Sequence, residues 1–283
     1  MKISIITPIY RGNHYLEKYL NCAEEAIGSF PEAEIIWIND SPEVPLVYPE
    51  EKAKKLKVKI LNNKRNIGIH GSRVRGLELA NGEYILFLDQ DDQITSDALK
   101  VQYEMTSSKP DLILGNGYFE DSKGLHKIFD NRFSQRFAAQ KKPYLMIRDF
   151  IVSPGQCLVR RKSIPDFWRR NVMQSNGADD YFLWLLMFND EMRIVCNYEC
   201  VYIHGFTDNN YSADLDKMYF SVRELLRILR ANTEYKQKDY SMLQRAIYYK
   251  RNYKKDFLRL SIKNMDIFLY NVLYRLLWRG YLY

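Results

Sequence analysis

The sequence predicts an α/β protein: a mostly parallel, Rossmann-like sheet with a small antiparallel part and a helical C-terminal extension. Three observations carry that prediction. The first half alternates apolar runs of strand length with helical stretches, the pattern of a parallel sheet joined by helical crossovers. The run Tyr84-Ile85-Leu86-Phe87-Leu88 is apolar throughout and gives way at once to Asp89-Gln90-Asp91-Asp92. From Asp216 to the end the chain reads as helix.

In order, residues 2–6 form the first strand. A helix through Leu16, Leu20 and Ala23 follows and stops near Gly28 and Pro31. Residues 34–38 and 57–61 give the second and third strands. A helix spans about 71–80, with Asn81-Gly82 as its C-cap signal. The strand 84–88 comes next, then a helix over about 96–107 and a strand over 111–114. From 115 to 142 the pattern loosens into polar, aromatic loop with short antiparallel strands. Residues 157–159 form a short strand, and 179–188 a helix with Phe182, Leu185 and Leu186 on one face. The segments 193–196 and 199–204 read as a strand pair. The expected division is 1–114, 115–210 and 211–283, the last segment being helical, basic and aromatic.

At 283 residues the chain can hold one large domain or one domain with an appendage. Cys22, Cys157, Cys196 and Cys200 lack zinc-ligand spacing and read as reduced thiols. The opening segment has no basic, apolar and cleavage-site succession, so a cytoplasmic protein is expected, with a peripheral place on the inner face of the cell membrane as its variant.

The net charge of +7 asks for an anionic partner: nucleic acid, anionic lipid or a diphosphate. Much of the excess lies after residue 217, where Arg245, Tyr248, Tyr249, Lys250, Arg251 and Tyr253 interleave without any recognisable nucleic-acid module. Nucleic acid is therefore not expected. Residues 265–283 are apolar around most of a helix, with Asn271, Arg275 and Arg279 as a narrow polar ridge. Asp266 and the arginines argue against a spanning segment. A helix in the membrane interface, with Tyr274, Trp278, Tyr281 and Tyr283 at headgroup depth, is one reading. Packing on the core or on a second protomer of a homo-oligomer is the other, and amphipathicity does not separate them.

The carboxylates after residue 88 have no hydrophobic reason to sit at a strand's carboxyl end, which is where open α/β sheets bind ligands. Clustered carboxylates favour a shared cation, and oxygen ligands suit Mg²⁺ or Mn²⁺. An acidic turn capping the next helix is the plain alternative, and Asp92 is read as such a cap.

Three segments line up with this cluster. They are Ile3-Ser4-Ile5-Ile6-Thr7-Pro8-Ile9-Tyr10, Ile35-Ile36-Trp37-Ile38-Asn39-Asp40-Ser41, and Asn66-Ile67-Gly68 with the stretch 72–84 leading to Leu88-Asp89-Gln90-Asp91-Asp92. In order and spacing they closely resemble the nucleotide-sugar-binding half of the family 2 inverting glycosyltransferases, which have the GT-A fold. The dense match covers about the first hundred residues. Gly177-Ala178-Asp179-Asp180-Tyr181-Phe182-Leu183-Trp184 resembles the acidic pair that opens a helix in the acceptor half, and Ser153-Pro154-Gly155-Gln156 and Val201-Tyr202-Ile203-His204 resemble further family segments.

The resemblance implies a metal-dependent inverting transferase that moves one sugar from a nucleotide donor, with UDP favoured, to a glycan or polyprenyl-diphosphate-linked acceptor. The Gln-x-x-Arg-Trp signature of processive members does not occur. Asp180 maps onto the catalytic base. Asp40 would bond the uracil ring and Asp89 the ribose hydroxyls. Thr7, Pro8, Tyr10, Asn66 and Arg73 would also lie at the donor. Asp91 would bind Mn²⁺ or Mg²⁺, with His204 reaching the metal or the diphosphate, while Asp179, Gln156 and Trp184 fall on the acceptor side.

Each residue has a plainer reading: Asp40, Asp179 and Asp180 as caps, His204 as a satisfied structural group, and Trp184 as core. Asp-Asp for Glu-Asp, Val74 after Arg73, and Ser41-Pro42 after Asp40 depart from the family pattern. Two other functions are weighed. One is a non-catalytic nucleotide-sugar-binding or membrane-docking subunit. The other is a sugar-1-phosphate nucleotidyltransferase, which would need a Gly-rich, Lys-containing loop where this chain has Thr7-Pro8-Ile9-Tyr10-Arg11-Gly12.

Overall fold

A computed structural model describes residues 1–121, 124–205 and 214–277. Strands β1 (Ile3–Ile9), β2 (Ala33–Asn39), β3 (Lys59–Asn62) and β4 (Tyr84–Phe87) pair in parallel in the order β3-β2-β1-β4. β1 and β2 are buried along their whole length, which is why their sequences run apolar instead of alternating. The crossovers carry α1 (Leu16–Ser29), α2 (Glu50–Lys55) and α3 (Gly68–Leu79). Gly76 lets α3 approach β1, since a Cβ there would fall 2.3 Å from Ile6 Cγ2.

Beyond β4 the sheet changes sense. β5 (Gln93–Ile94) is followed by α4 (Ala98–Glu104), β6 (Leu112–Asp121) and its hairpin partner β7 (Gly124–Lys127). β8 (Cys157–Arg160) sits antiparallel between β4 and β6, and β9 (Ile194–Gly205) lies parallel to β6. β5 closes that end antiparallel to β9. A single sheet therefore passes through both halves of the chain.

Two expectations are corrected here. Segments 193–196 and 199–204 are one continuous strand, β9, rather than a pair. Asn197 Oδ1 accepts the Glu199 N–H at 3.1 Å, and shifts in register around Asn116 absorb the irregularity without ending the strand. Within 115–142 the expected short antiparallel strands are the β6–β7 hairpin, but the expected loop beyond it holds helices α5 (Arg132–Ala138) and α6 (Lys141–Met146). A capping box opens α5: Asn131 Oδ1 accepts Ser134 N–H at 2.9 Å, and Ser134 Oγ lies 3.4 Å from the Asn131 N–H.

After α7 (Asp166–Arg170), helix α8 (Asp179–Asn189) is buried at every position except Asp180. The C-terminal extension comprises α9 (Leu215–Ala231), α10 (Gln237–Asn252), α11 (Phe257–Lys263) and α12 (Met265–Leu277). α12 folds back onto α6. Asn271 Nδ2 donates to Met146 O at 3.4 Å, Arg148 Nη2 donates to the Tyr274 hydroxyl at 3.0 Å, and the Tyr274 ring stacks 6.0 Å from Phe137. Tyr274 is thus buried against the protein instead of lying at headgroup depth, and Asn271 faces inward. Trp278, Arg279, Tyr281 and Tyr283 lie outside the described residues. Among the described residues, no helix is long and apolar enough to cross a membrane.

Candidate active site

The carboxyl ends of β1 and β4 meet at one edge. Leu88 N–H still donates to Ile6 O at 3.0 Å, and then the chain turns. Gln90 clips the two ends together: its Oε1 accepts the Tyr10 N–H at 3.0 Å and its Nε2 donates to Tyr10 O at 3.3 Å. The three aspartates around Gln90 then part company.

Asp92 is 3% exposed and does not cap α4, whose preceding residue is Asp97. Its Oδ2 accepts Ser153 Oγ at 3.1 Å and a short bond from the Tyr202 hydroxyl. Its Oδ1 accepts Gly205 N–H at 3.1 Å and meets His204 Nδ1 at 3.1 Å. Buried carboxylates need this number of donors. Here they bind the end of β9 to the turn after β4. Gly205 is pressed against that turn, since a Cβ there would sit 2.3 Å from Asp91 O.

Asp91 is half-buried and makes no side-chain bond to another described residue. Burial, with Asp92 and Asp89 beside it, pushes its carboxyl up to about 7. A divalent cation would relieve that crowding, so the residues fit one. The protein's share of its ligands is small. His204 has its Nδ1 committed to Asp92, which leaves Nε2. Burial would lower the His204 ring, but the bond to Asp92 and the neighbouring carboxylates outweigh it and hold the ring above its ordinary value. No group of three or more His, Cys, Asp or Glu side chains among the described residues is arranged to hold a metal. One carboxylate and one imidazole leave most positions to water or phosphate oxygens, which is how Mg²⁺ and Mn²⁺ are held beside phosphorylated substrates.

Asp89 instead serves Arg73. Arg73 Nη2 meets Asp89 Oδ1 at 2.6 Å, and Nη1 meets Asp179 Oδ2 at 2.6 Å. The expected donor contact of Arg73 is corrected by this. The guanidinium is 3% exposed and spends its fork on two carboxylates, as burial of such a charge requires.

Asp179 is 2% exposed, its Oδ2 engaged by Arg73. Gln156 is fully buried, its Oε1 accepting Val152 N–H at 2.8 Å and its Nε2 donating to Gly115 O at 3.4 Å. Trp184 is likewise fully buried in α8, so neither reaches an acceptor.

On the donor side, Asp40 Oδ1 accepts Asn63 Nδ2 at 2.7 Å and Ile67 N–H at 2.8 Å, and Oδ2 accepts Gly68 N–H at 2.9 Å. It satisfies the start of α3, with only the rest of Oδ2 for a ligand. Thr7 faces α1, where its hydroxyl meets that of Tyr19 at 2.7 Å, and Pro8 is buried in β1. Tyr10 and Asn66 are exposed.

Across the edge, Asp180 begins α8 and is the helix's single half-exposed residue. Burial and the adjacent Asp179 push its carboxyl up to about 7 against the pull of Arg73. That value suits a general base near neutrality. The loop before it is pinned from three sides. Met173 N–H donates to His70 Nδ1 at 3.0 Å, Gln174 and Ser175 N–H donate to the Glu224 carboxylate at 2.8 Å each, and Ile69 N–H donates to Asn176 Oδ1 at 3.2 Å. Sequence reasoning missed His70 and Glu224. No local pattern marks them, because their partners lie far along the chain.

Comparison with known proteins places this geometry. The chain is 26% identical to the Campylobacter jejuni GalNAc(5)-diNAcBac-PP-undecaprenol beta-1,3-glucosyltransferase, over 93% of this chain and 89% of that one. It is 33% identical to the Staphylococcus aureus poly(ribitol-phosphate) beta-N-acetylglucosaminyltransferase TarS over 35% of this chain, which is 18% of that protein. The structure superposes on the S. aureus TarS fragment in complex with UDP-GlcNAc with a TM-score of 0.68 at 18% identity, covering 95% of this chain and 78% of that one. It also superposes on the Pyrobaculum calidifontis mannosyltransferase PcManGT in complex with GDP-Man and Mn2+, with a TM-score of 0.60 at 12% identity, covering 88% and 69%. The architecture is therefore GT-A. Residues 4–168, more than half of the chain, match the model for glycosyl transferase family 2, and the chain belongs to that family.

Proposed function

We propose that this protein is an inverting, divalent-metal-dependent glycosyltransferase that moves a single hexosyl-type sugar from a UDP-sugar to a hydroxyl of a polyprenyl-diphosphate-linked glycan. One observation carries the reading: Asp180 is the one accessible residue of an otherwise buried helix, tied through Asp179, Arg73 and Asp89 to the turn that holds Asp91. A half-exposed carboxylate at the head of a buried helix suits a single displacement. The acceptor hydroxyl gives its proton to Asp180 as its oxygen bonds the anomeric carbon. The bond from that carbon to the diphosphate breaks on the opposite face, and the nucleoside diphosphate leaves with the electron pair. Configuration inverts, and no covalent intermediate on the protein is needed.

Asp91, with His204 Nε2 beside it, would hold Mn²⁺ or Mg²⁺, which offsets charge on the leaving diphosphate. Asp89, Tyr10, Asn66 and the free capacity of Asp40 are the donor-side contacts, with Thr7 and Pro8 shaping the strand end beneath them. UDP is preferred because TarS, which gives the higher of the two TM-scores, holds UDP-GlcNAc, whereas PcManGT holds GDP-Man. The lipid-linked acceptor follows from the activity for which the C. jejuni relative is named.

The test is a panel of UDP- and GDP-sugars with Mn²⁺ and a polyprenyl-diphosphate-linked acceptor, with the product anomer read by NMR. Inverted product from a UDP-sugar supports the reading. Asp180→Asn should bind donor normally and turn over about 10³-fold more slowly. Retained configuration, or full turnover by Asp180→Asn, would remove it.

A further inference from the structure

We propose that the outward face of α11 and α12 docks on an anionic lipid bilayer. Leu258, Ile262, Met265, Leu269 and Leu273 are 71, 61, 47, 55 and 49% exposed. The spacing of four residues within α11 (Leu258, Ile262) and within α12 (Met265, Leu269, Leu273) gives each helix an exposed apolar line. The line on α12 is not the unsatisfied half of a core. The opposite side of α12 is already packed, with Ile267 fully buried and Tyr274 and Asn271 engaged on the segment around α6.

Charge decides what covers the exposed side. Residues 250–277 hold seven Lys or Arg and two Asp, a net +5 of the chain's +7. Lys254, Lys255, Arg259 and Lys263 are all exposed beside the apolar lines. Protein–protein interfaces are depleted of lysine, and a two-fold dimer through this face would set two +5 surfaces against each other. Anionic headgroups reward the same arrangement: leucines enter the boundary of the acyl region while the lysines meet phosphate. The inference concerns a surface and stands whether or not the proposed donor is correct.

The experiment uses the full chain with vesicles of phosphatidylcholine alone or with added phosphatidylglycerol, floated through a density gradient. The chain is expected to rise with the anionic vesicles at least about tenfold more than with neutral ones, and to be released by salt. The double substitution Leu269→Asp/Leu273→Asp should abolish flotation, and Lys254→Glu/Lys255→Glu should reduce it about tenfold, each with an unchanged circular dichroism spectrum. The charge-reversal pair leaves the apolar lines intact, so it reads the lipid contact even if the aspartates perturb the helix. Failure of the wild-type chain to float with anionic vesicles would overturn the proposal. So would equal flotation of both variants and wild type. A wild-type dimer that Leu269→Asp/Leu273→Asp converts to monomer, without vesicle binding, would make the face a protein interface and overturn it equally.

Discussion

Arg73 Nη1 and Asp179 Oδ2 lie 2.6 Å apart across 106 residues of sequence, both buried, and join the helix after the third strand to the helix that carries Asp180. The same guanidinium holds Asp89 on its other fork, so one cation sets the spacing between the two acidic sites.

Removing that cation should cost stability before it costs chemistry. Arg73→Ala leaves the buried Asp179 and the half-buried Asp89 without their shared cation, and breaking such a buried pair typically destabilises by about 3–5 kcal/mol. Arg73→Lys can serve only one of them and should lose about 1–3 kcal/mol. Urea unfolding midpoints check both, and a wild-type midpoint for Arg73→Ala would show the clamp to be idle.

Asp180 gives a pH dependence with a defined sign. Its carboxyl must be ionised to accept a proton and is held up to about 7, so kcat/KM should climb with pH through about 7. Because its folded value lies above its unfolded one, the native state holds the extra proton between about 4 and 7, and stability falls as pH rises through that window. Asp180→Asn should therefore stabilise the protein more at pH 8 than at pH 4, by on the order of 1–3 kcal/mol. Equal melting-temperature shifts at the two pH values would count against a buried, raised carboxyl.

Asp91 carries a prediction on metal. Asp91→Asn should weaken binding of a nucleoside diphosphate in Mn²⁺ by about 10–100-fold, the loss of one charge-assisted ligand. Calorimetry in Mn²⁺ and in EDTA is the check. Chelation should bring the wild type down to the level of the variant, whereas tight binding by both in EDTA would place the nucleotide away from Asp91.

Glu224 reaches from α9 to the loop ahead of Asp180 and accepts two successive backbone N–H groups at 2.8 Å. Glu224→Gln can accept at only one amide oxygen. It should lower kcat several-fold and change the donor KM less, because Glu224 holds Gln174 and Ser175, on the stretch that leads into Asp180. A shift in donor KM with unaltered kcat would assign Glu224 to the donor side.

β1, β2 and β4 were legible because each is an apolar run, and α8 because it is apolar nearly all round. The half-exposed Asp180 was legible through its family segment. What sequence hid was orientation. Arg73 looks like a surface arginine until Asp89 and Asp179 are known to flank it, and those lie 16 and 106 residues away. Thr7, Gln156 and Trp184 stand in segments that resemble family segments, yet each side chain is buried in the core. Asp92 resembles a cap by type and place, and only the return of β9 supplies Tyr202, His204 and Gly205 to occupy it. The break expected at Asn197-Tyr198 failed because pairing with a bulged β6 tolerates a polar residue that its own backbone satisfies.

The placement of β8 between β4 and β6 has a genetic consequence. A gene fragment ending near residue 114 would deprive β4 of its antiparallel neighbour and present a bare hydrophobic strand to solvent, an invitation to self-association. The first 114 residues cannot be harvested as a free-standing module. Recombination that exchanges acceptor specificity between relatives must carry the 157–160 segment along or supply an equivalent.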